Sequence, residues 1–401
     1  MMLIWTLVFV DVLLIVCLAF MPFLTRKTEL FGVSIPSKEY MRRELVGMRR
    51  GYRNIMVIVG LALMGAHLLF QLNPALNGGL TLEEASGLAG NGGLRFVAPF
   101  IVTTCVYCVF GFLLYLHYHK CMKNYKEQFG WSEAGQAGPV IIADTEPAGR
   151  ESISFNWLWL YAFIAAVSVI AVIFIWPYVP DRVVTNTGLD GTPDAWVDKG
   201  PGAVLPLLAS QWFLMVTFAL CLLIVRHARR QIDPAAPEAS REQGRRFRRI
   251  SSVLLFVCGA AFGILMGVLN ITMLLGVNLA AYAVFMLVAF AVIIIVMIAI
   301  LIRVGQGGSR LAVRGVAGNA DKTADTGAAN APVDNDAYWK LGQFYFNRND
   351  PAIFVEKRFG IGWTMNWGHP VSWLIIAAVV VVIVAVLIAS GGQSTHIGIN
   401  A

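Results

Sequence analysis

Long apolar runs separated by polar loops dominate the hydrophobic pattern of this chain. Eight of these runs are long enough to cross a hydrocarbon core, which needs about 20 mostly apolar residues. They cover residues 2–23, 55–72, 96–116, 158–175, 205–225, 250–275, 279–302 and 371–389. The pattern predicts an all-α polytopic membrane protein with about eight transmembrane helices.

Lysine and arginine are distributed unevenly between the loops. The loops that follow the first, third, fifth and seventh runs carry 28 of the 31 Lys and Arg, whereas the other loops carry only Arg95, Arg182 and Lys199. Loops on the cytoplasmic side of membrane proteins carry an excess of basic residues. We therefore expect an N-out/C-out topology in which the basic loops face the cytoplasm.

Composition divides the chain into five parts. Residues 1–134 contain the first three runs, and residues 158–302 contain the next four. The stretches 135–157 and 303–337 include segments rich in Gly, Ala, Asp and Thr, which predicts flexible cytoplasmic linkers. Residues 338–401 combine an aromatic-rich juxtamembrane element with the last run.

The overall composition supports the membrane class and argues against other classes. The chain is 57% hydrophobic and 14% charged, with a mean hydropathy of +0.67. Its net charge of +7 does not indicate a nucleic-acid partner, because basic loops of membrane proteins face anionic lipid. The lipid bilayer is the predicted partner. No spacing of His, Cys, Asp or Glu indicates a catalytic or metal site, so no enzymatic activity, metal or cofactor is expected.

Four polar residues within the apolar runs are candidates for an intramembrane site: Asp11, His67, Gln211 and Asn270. Polar side chains are costly to bury in lipid and often mark function. His67, Gln211 and Asn270 lie roughly 7–10 Å below the outer ends of their helices at 1.5 Å per residue. This shared depth predicts an outward-opening polar cavity with Asp11 near its floor. The alternative is separate interhelical hydrogen bonds, each contributing about 1 kcal/mol or less.

The stretch 338–373 is unusually rich in aromatic residues and glycine. Its alternating pattern predicts a short hairpin that turns at residues 347–351. Tyr338, Trp339, Trp363 and Trp367 are candidates for docking a cytoplasmic regulator or a membrane partner. The alternative is an interfacial collar that anchors the last helix, because tryptophan prefers the headgroup level.

The loop after the fourth run reads WPYVPDRVVTNTGLDGTPDAWVDK over residues 176–199. With the fourth run, it resembles an uncharacterised membrane domain that also forms the N-terminal part of the SdpI family, which confers immunity to a secreted peptide toxin. Val184 and Asn186 replace the usual proline and histidine of the pattern. The matching positions are Tyr178, Pro180, Asp181, Thr185, Gly191, Pro193, Asp194, Trp196 and Lys199. Residues 338–373 resemble a second uncharacterised domain that ends longer members of this group.

The resemblance implies a bacterial plasma-membrane protein that acts in peptide-toxin immunity or envelope sensing. The outward loop then supplies the candidates for binding an extracellular cationic peptide, which are Asp181, Asp190, Asp194, Trp196 and Lys199. A transporter or exporter accessory for a small or amphipathic substrate is the alternative. An intramembrane enzyme ranks third, because the chain has no paired aspartate, HExxH motif or Ser/Lys arrangement.

The charge distribution makes the topology testable. Gly90→Cys and Gly191→Cys, each in a background without native cysteines, are expected to react with an impermeant maleimide in intact cells. Gly244→Cys is expected to react only after lysis, because it lies in a basic loop. Labelling of Gly244→Cys in intact cells would contradict the predicted orientation.

Overall fold

The computed structural model describes residues 2–73, 91–131, 152–187, 193–229, 232, 237–276, 279–312 and 336–391. Eight α-helices occur in these ranges: α1 Met2–Leu24, α2 Arg43–Leu72, α3 Asn91–Gln128, α4 Trp159–Ile175, α5 Pro201–His227, α6 Pro237–Leu274, α7 Leu279–Val304 and α8 Pro370–Gly391. Among the described residues, the first seven contain segments long and apolar enough to cross a membrane, and Pro370–Val381 is a shorter apolar helix. The predicted helical, multi-pass membrane class is confirmed.

The described helices pack in two groups. In the first group, α1 packs on α2 and α2 packs on α3, while α4, α5 and α6 form the second. Helix α7 contacts both α6 and α1, so it connects the two groups. The loops that carry most of the lysine and arginine emerge at one end of this bundle, which we call the basic end. The remaining loops emerge at the other end, the far end.

Helix α6 approaches its neighbours closely because it has glycine at every fourth position. Gly259, Gly263 and Gly267 share one helix face, since residues four apart lie above one another. A β-carbon on Gly259 would overlap the Tyr161 hydroxyl, and one on Gly267 would lie 2.8 Å from Ser168 Oγ. Small residues at this spacing allow close helix packing in membranes. They therefore explain how α4 and α5 fit against α6.

Four two-stranded antiparallel hairpins accompany the described helices. They pair β1 Glu29–Leu30 with β2 Val33–Ser34, β3 Arg182–Thr187 with β4 Pro193–Asp198, β5 Trp339–Lys340 with β6 Phe344–Tyr345, and β7 Phe354–Glu356 with β8 Trp363–Met365. The β3–β4 hairpin lies at the far end. The other three lie at the basic end, where they pack together with the neighbouring helix ends. We call these three hairpins and their connecting turns the basic-end assembly.

The prediction of one hairpin turning at residues 347–351 is wrong, because the element forms two hairpins and this segment connects them. The β5–β6 turn instead begins at Leu341 and Gly342, whose φ angles of 53° and 69° suit a tight turn. Asn347 and Asp350 accept hydrogen bonds from the backbone N–H groups of Asn349 and Ala352. Their side chains therefore shape the connection without reversing a strand pair.

The predicted linkers are only partly within the described residues. Most of 135–157 and residues 313–335 lie outside them. The ends of the 303–337 stretch are packed, contrary to the expected flexibility: Gln306 is fully buried, and Asp336 bonds to three other segments. Composition did not indicate these contacts, because each depends on one polar side chain meeting a distant segment.

Asn366 connects the two hairpins of the aromatic-rich element. Its fully buried side chain donates to the carbonyls of Asn347 (2.8 Å), Asp350 (3.2 Å) and Ala352 (3.2 Å). Its Oδ1 accepts from the backbone N–H groups of Asn347 and Gly368, both at 3.0 Å. One amide thus bonds to five backbone groups, two as N–H donors and three as carbonyl acceptors that share its two N–H groups.

Asn366→Ala is expected to lower the free energy of unfolding of the assembly by about 3 kcal/mol, because five backbone groups that are buried or partly buried lose their hydrogen bonds to this side chain. Hydrogen exchange of residues 339–365, together with the thermal midpoint in detergent, measures this effect. Asn54→Ala is the matched control, since Asn54 is exposed on α2. Among the described residues, its side chain accepts hydrogen bonds only from Arg53. Unchanged exchange in the Asn366 variant would contradict the assigned role.

Candidate functional site at the basic end

The centre of the basic-end assembly is a buried arginine. Arg358 lies just after β7, and only 1% of its surface is exposed. Its Nη1 donates to the Asp336 carboxylate and to the Gly32 carbonyl (3.1 Å), and its Nε lies 3.9 Å from Glu29 Oε1. The guanidinium also stacks over the Trp339 ring at 5.1 Å. Arg358 therefore holds the β1–β2 hairpin against the C-terminal element through charge-assisted contacts.

Asp336 joins a third element to this centre. Its Oδ2 accepts from Lys126 Nζ at 2.7 Å, and its Oδ1 accepts from the Ser34 backbone N–H at 3.3 Å. Burial acts to raise the pKa of Asp336, but Arg358 and Lys126 outweigh it, so the net pKa is below the ordinary value. Lys126 also donates to Ser34 Oγ at 2.8 Å. Lys126 therefore fixes the last turn of α3 both to the β1–β2 hairpin, through Ser34, and to the C-terminal element, through Asp336.

A second ion pair closes the assembly on the side of α1. Arg26, which follows the end of α1, pairs with Glu356 on β7, and Glu356 is almost fully buried. Two acidic and two basic side chains, Glu29, Glu356, Arg26 and Arg358, thus lie between the same two hairpins. Buried charges persist only when they are paired in this way.

Three hairpin turns meet above α3. Tyr115 Oη donates to the Leu341 carbonyl at 2.9 Å, and His119 Nδ1 lies 2.7 Å from the Phe31 carbonyl. A β-carbon on Gly32 would overlap the Gly342 carbonyl. The β1–β2 turn, which contains Gly32, therefore packs backbone to backbone against the β5–β6 turn, which contains Gly342. Glycine is required at both turn positions by this close approach and by positive φ.

An aromatic cluster fills the space beneath these turns. The Phe359 ring of the third turn lies 4.5 Å from Tyr115 and 6.0 Å from Phe31, which stacks on Tyr118 at 5.0 Å. Tyr52 of α2 packs against the edges of this group. Aromatic pairs at these separations add about 0.5–1.5 kcal/mol each beyond area burial. The cluster makes the first helix group and the C-terminal element one packed unit.

The second helix group is attached through backbone bonds. The Arg229 N–H, just after α5, donates to the Phe354 carbonyl at 2.8 Å, and its side chain pairs with Asp350. Gln306, after α7, exchanges two hydrogen bonds with the Gly362 backbone at 2.8 and 2.9 Å. The ends of α3, α5 and α7 therefore all contact the same element.

The four predicted docking aromatics differ in accessibility. Tyr338 is exposed, whereas Trp363 and Trp367 are half-buried and pack on Phe247 of α6 and Trp373 of α8, respectively. Trp339 is buried beneath Arg358, so it does not face a partner, contrary to expectation. Its position follows from β5 pairing, which turns it into the assembly. The surface candidates that remain are Tyr338, Trp363 and Trp367.

The predicted intramembrane residues form two separate clusters, and the single shared cavity is not formed by their side chains. Asp11 Oδ2 lies 3.2 Å from His67 Nδ1, and Gln71 Nε2 lies 2.6 Å from His67 Nε2. A neutral imidazole that donates to Asp11 and accepts from Gln71 satisfies both contacts. The space beside Asp11, which Thr103 and Tyr107 help to line, is a cavity of about 10 Å³. It is no larger than one water needs.

The second cluster joins α5 to α4 and α6. Gln211 Nε2 donates to Ser168 Oγ and to the Gly263 carbonyl, both at 2.8 Å. Asn270 Nδ2 donates to the Leu207 carbonyl at 3.0 Å and lies 3.5 Å from Gln211 Oε1. Gln211 and Asn270 thus bond across helices, which corresponds to the alternative of interhelical hydrogen bonds rather than to the predicted open cavity.

At the far end, the predicted loop candidates have different environments. Trp196 on β4 is 53% exposed, and Asp181 is exposed beside β3. Lys199 Nζ donates to the Val179 carbonyl at 2.7 Å and lies over the Trp176 ring, so it closes the base of the hairpin. Asp190 and the Asp194 side chain lie outside the described residues. Val183 on β3 is fully buried and anchors the hairpin to the helices.

Sequence reasoning missed the residues that build the basic-end assembly, namely Glu29, Lys126, Gln306, Asp336, Glu356 and Arg358. Gln306 and Asp336 lie in a predicted linker, Glu29 and Lys126 lie in predicted basic loops, and Glu356 and Arg358 lie in the aromatic-rich element without having been singled out. The available signal was the repeated apolar–glycine step at Phe31–Gly32, Leu341–Gly342 and Phe359–Gly360. Among the described residues, no group of three or more His, Cys, Asp or Glu is arranged to hold a metal.

Two parts of the chain match families without an assigned function. Residues 163–209 match a "Domain of unknown function (DUF1648)", and residues 348–373 match a "Family of unknown function (DUF5808)". The first covers most of α4, the far-end hairpin and the start of α5, and the second covers much of the aromatic-rich element. No curated protein and no solved structure matches the chain. The two predicted uncharacterised domains are therefore present.

Asp336→Asn is expected to lower the free energy of unfolding by about 2 kcal/mol at neutral pH, because Arg358 and Lys126 lose a charged partner. Since the pKa of Asp336 is lower in the folded protein than in the unfolded chain, its contribution is present above about pH 3.8. That contribution to the free energy of unfolding is lost as the pH falls through the pKa that Asp336 has in the folded protein. The gap in thermal midpoint between wild type and variant should therefore narrow below pH 3.8.

Glu127→Gln is the control for this comparison, because Glu127 is exposed at the same end of α3. It should leave the midpoint unchanged at every pH. A gap between wild type and Asp336→Asn that stays constant down to pH 2 would contradict the ionised role of Asp336.

Proposed function

We propose that this chain is a non-enzymatic sensor of the bacterial plasma membrane that acts in peptide-toxin immunity or envelope sensing. The far-end hairpin engages an extracellular cationic peptide, and the basic-end assembly passes the change to a cytoplasmic regulator or membrane partner. The observation that carries the proposal is the position of α6, which contacts the hairpin at one end and the assembly at the other.

The proposed orientation has eight spans, with both termini outside the cytoplasm. It is supported by the 28 of 31 Lys and Arg that the sequence places in the loops after the first, third, fifth and seventh apolar runs. In this arrangement the β3–β4 hairpin faces outward and the basic-end assembly faces the cytoplasm. α8 then provides the eighth span and leaves the assembly directly at the membrane surface.

The hairpin has one anchored side and one available side. Val183 is fully buried against Val172, Ala203 and Leu274, whereas Trp196 projects with about half of its surface exposed. Exposed aromatics on a rigid support are typical binding anchors. The exposed Asp181 carboxylate adds attraction for a cation. This division favours a binding loop over a purely structural cap.

Helix α6 offers a direct mechanical link between the ends. Leu274, in its last turn, belongs to the same buried cluster as Val183 of the hairpin. At its other end, Phe247 packs on Trp363 at 5.6 Å, and Gln243 Nε2 donates to the Leu311 carbonyl at 3.0 Å. A shift of the β3–β4 hairpin would move α6 as a rigid helix, and the first turns of α6 contact the basic-end assembly. A rigid helix that contacts both ends is one kind of element that can carry coupling between two sites.

The similarity of residues 176–199 to the N-terminal part of the SdpI family adds the immunity class to this proposal. A transporter or exporter accessory for a small or amphipathic substrate remains the second candidate. One observation favours it: the Asp11–His67 pair is buried between α1 and α2 at a depth where ionisable groups often relay protons.

Trp196→Ala is expected to weaken peptide binding by about thirtyfold, because losing a central tryptophan anchor costs on the order of 2 kcal/mol. Survival of cells exposed to candidate secreted cationic peptides should fall, while membrane abundance of the protein stays normal. Trp363→Ala should leave peptide binding intact but reduce protection, because it removes the contact between α6 and the assembly.

Trp212→Ala is the control, since Trp212 is similarly exposed but lies on the apolar surface of α5. It should alter neither binding nor protection. If Trp196→Ala lowers abundance while protection per molecule stays unchanged, the hairpin is a structural cap and the sensing proposal fails.

A further inference from the structure

A polar cavity of about 220 Å³ opens at the basic end, where the chain leaves α1, enters α6 and leaves α7. We infer that this cavity binds a phosphate-bearing anion. Arg26 and Lys27 line it from the α1 side, Ser240 and Gln243 from α6, and Ser309 from the turn after α7. The hairpins described above do not use this space, and the proposal does not depend on the sensing function.

The charge of the lining selects an anion. Arg26 and Lys27 contribute two cationic groups, and none of the lining residues is acidic. Glu356 fixes the Arg26 guanidinium against the backbone of Gly307, so its position is set before a ligand arrives. Lys27 is exposed and pairs with no carboxylate among the described residues. Its ammonium is therefore available to a ligand anion.

The neutral groups of the lining suit phosphate oxygens. The Ser309 hydroxyl oxygen is shielded from solvent and has no hydrogen-bond partner among the described residues. Buried hydroxyls without partners are uncommon and destabilising. A rotation of the Ser309 side chain about χ1 would turn this hydroxyl toward an acceptor oxygen in the cavity and satisfy it. Thr28 and Ser37, in the segment that follows α1, add further hydroxyl donors to the lining.

The size of the cavity limits what the anion can carry. Sites for drug-sized ligands usually measure about 300–1,000 Å³, so 220 Å³ suits a phosphate with a short polar extension. The cavity lies only a few residues beyond the ends of α1 and α7, at the level where phospholipid headgroups lie. An anionic phospholipid headgroup and a small soluble phosphate ester share this chemistry.

Binding by the purified full-length protein distinguishes these sources. One arm measures the number of phosphatidylglycerol molecules retained by delipidated protein in native mass spectrometry. The other arm measures binding of glycerol 3-phosphate to protein in phosphatidylcholine nanodiscs, at constant ionic strength. Lys27→Gln and Ser309→Ala are the test variants. Lys123→Gln is the control, because Lys123 is an exposed lysine at the same end that does not line the cavity.

We expect Lys27→Gln to weaken binding about tenfold and Ser309→Ala to weaken it severalfold, while Lys123→Gln binds like wild type. If the test variants lose only phosphatidylglycerol, the ligand is a lipid headgroup. If they lose only glycerol 3-phosphate binding, the ligand is a soluble ester. Absence of binding in both arms would overturn the inference. Equal losses in Lys27→Gln and Lys123→Gln would also overturn it, because they would indicate attraction to the basic surface in general.

Discussion

Burial of the Arg358 guanidinium is the constraint on which the basic end of this protein depends. An arginine removed from water is destabilising by several kcal/mol unless its charge and its N–H groups are matched. Asp336, Glu29 and the Gly32 carbonyl provide that match, and they come from two segments about 300 residues apart in the chain. The C-terminal element can therefore bury Arg358 only when the β1–β2 hairpin is in place. This mutual requirement makes the two segments one structural unit even though the loops between them are long.

The same requirement fixes the helix ends. Because Lys126 shares Asp336 with Arg358, the last turn of α3 is set by the pairing that buries the arginine. Gln306 and Arg229 attach α7 and α5 to the same element through backbone bonds, which tolerate little displacement. Helix packing in lipid lacks the hydrophobic driving force that operates in water. A polar assembly at the membrane surface thus supplies specificity that the apolar helix faces alone provide weakly.

The helices were predictable from sequence because apolar length and loop charge act locally, and each run could be read without knowing its neighbours. The assembly was not predictable in this way. Arg358 looked like one more basic-loop residue, and Asp336 looked like the end of a linker, because nothing local records that they meet. The Asn-Asp-Pro step at 349–351 suggested a strand reversal, yet the turns formed at apolar–glycine steps whose positive φ is supported by packing against Tyr115. Depth alone placed His67 with Gln211, but depth along a helix does not specify which face it occupies or which helix group contains it.

The separation of the two intramembrane clusters has a consequence for mechanism. Gln211, Asn270 and Ser168 are neutral at every pH, so their hydrogen bonds can hold α4, α5 and α6 together but cannot respond to protons. Asp11 and His67 can change charge, and they lie in the other helix group, between α1 and α2. The proposed peptide sensing would use the hairpin anchored to the second group, whereas proton-linked transport would use the first. The two candidate functions would therefore use different halves of the molecule, and α7 and the basic-end assembly connect these halves. A signal that combined both would pass through α7 or through the ion pairs around Arg358.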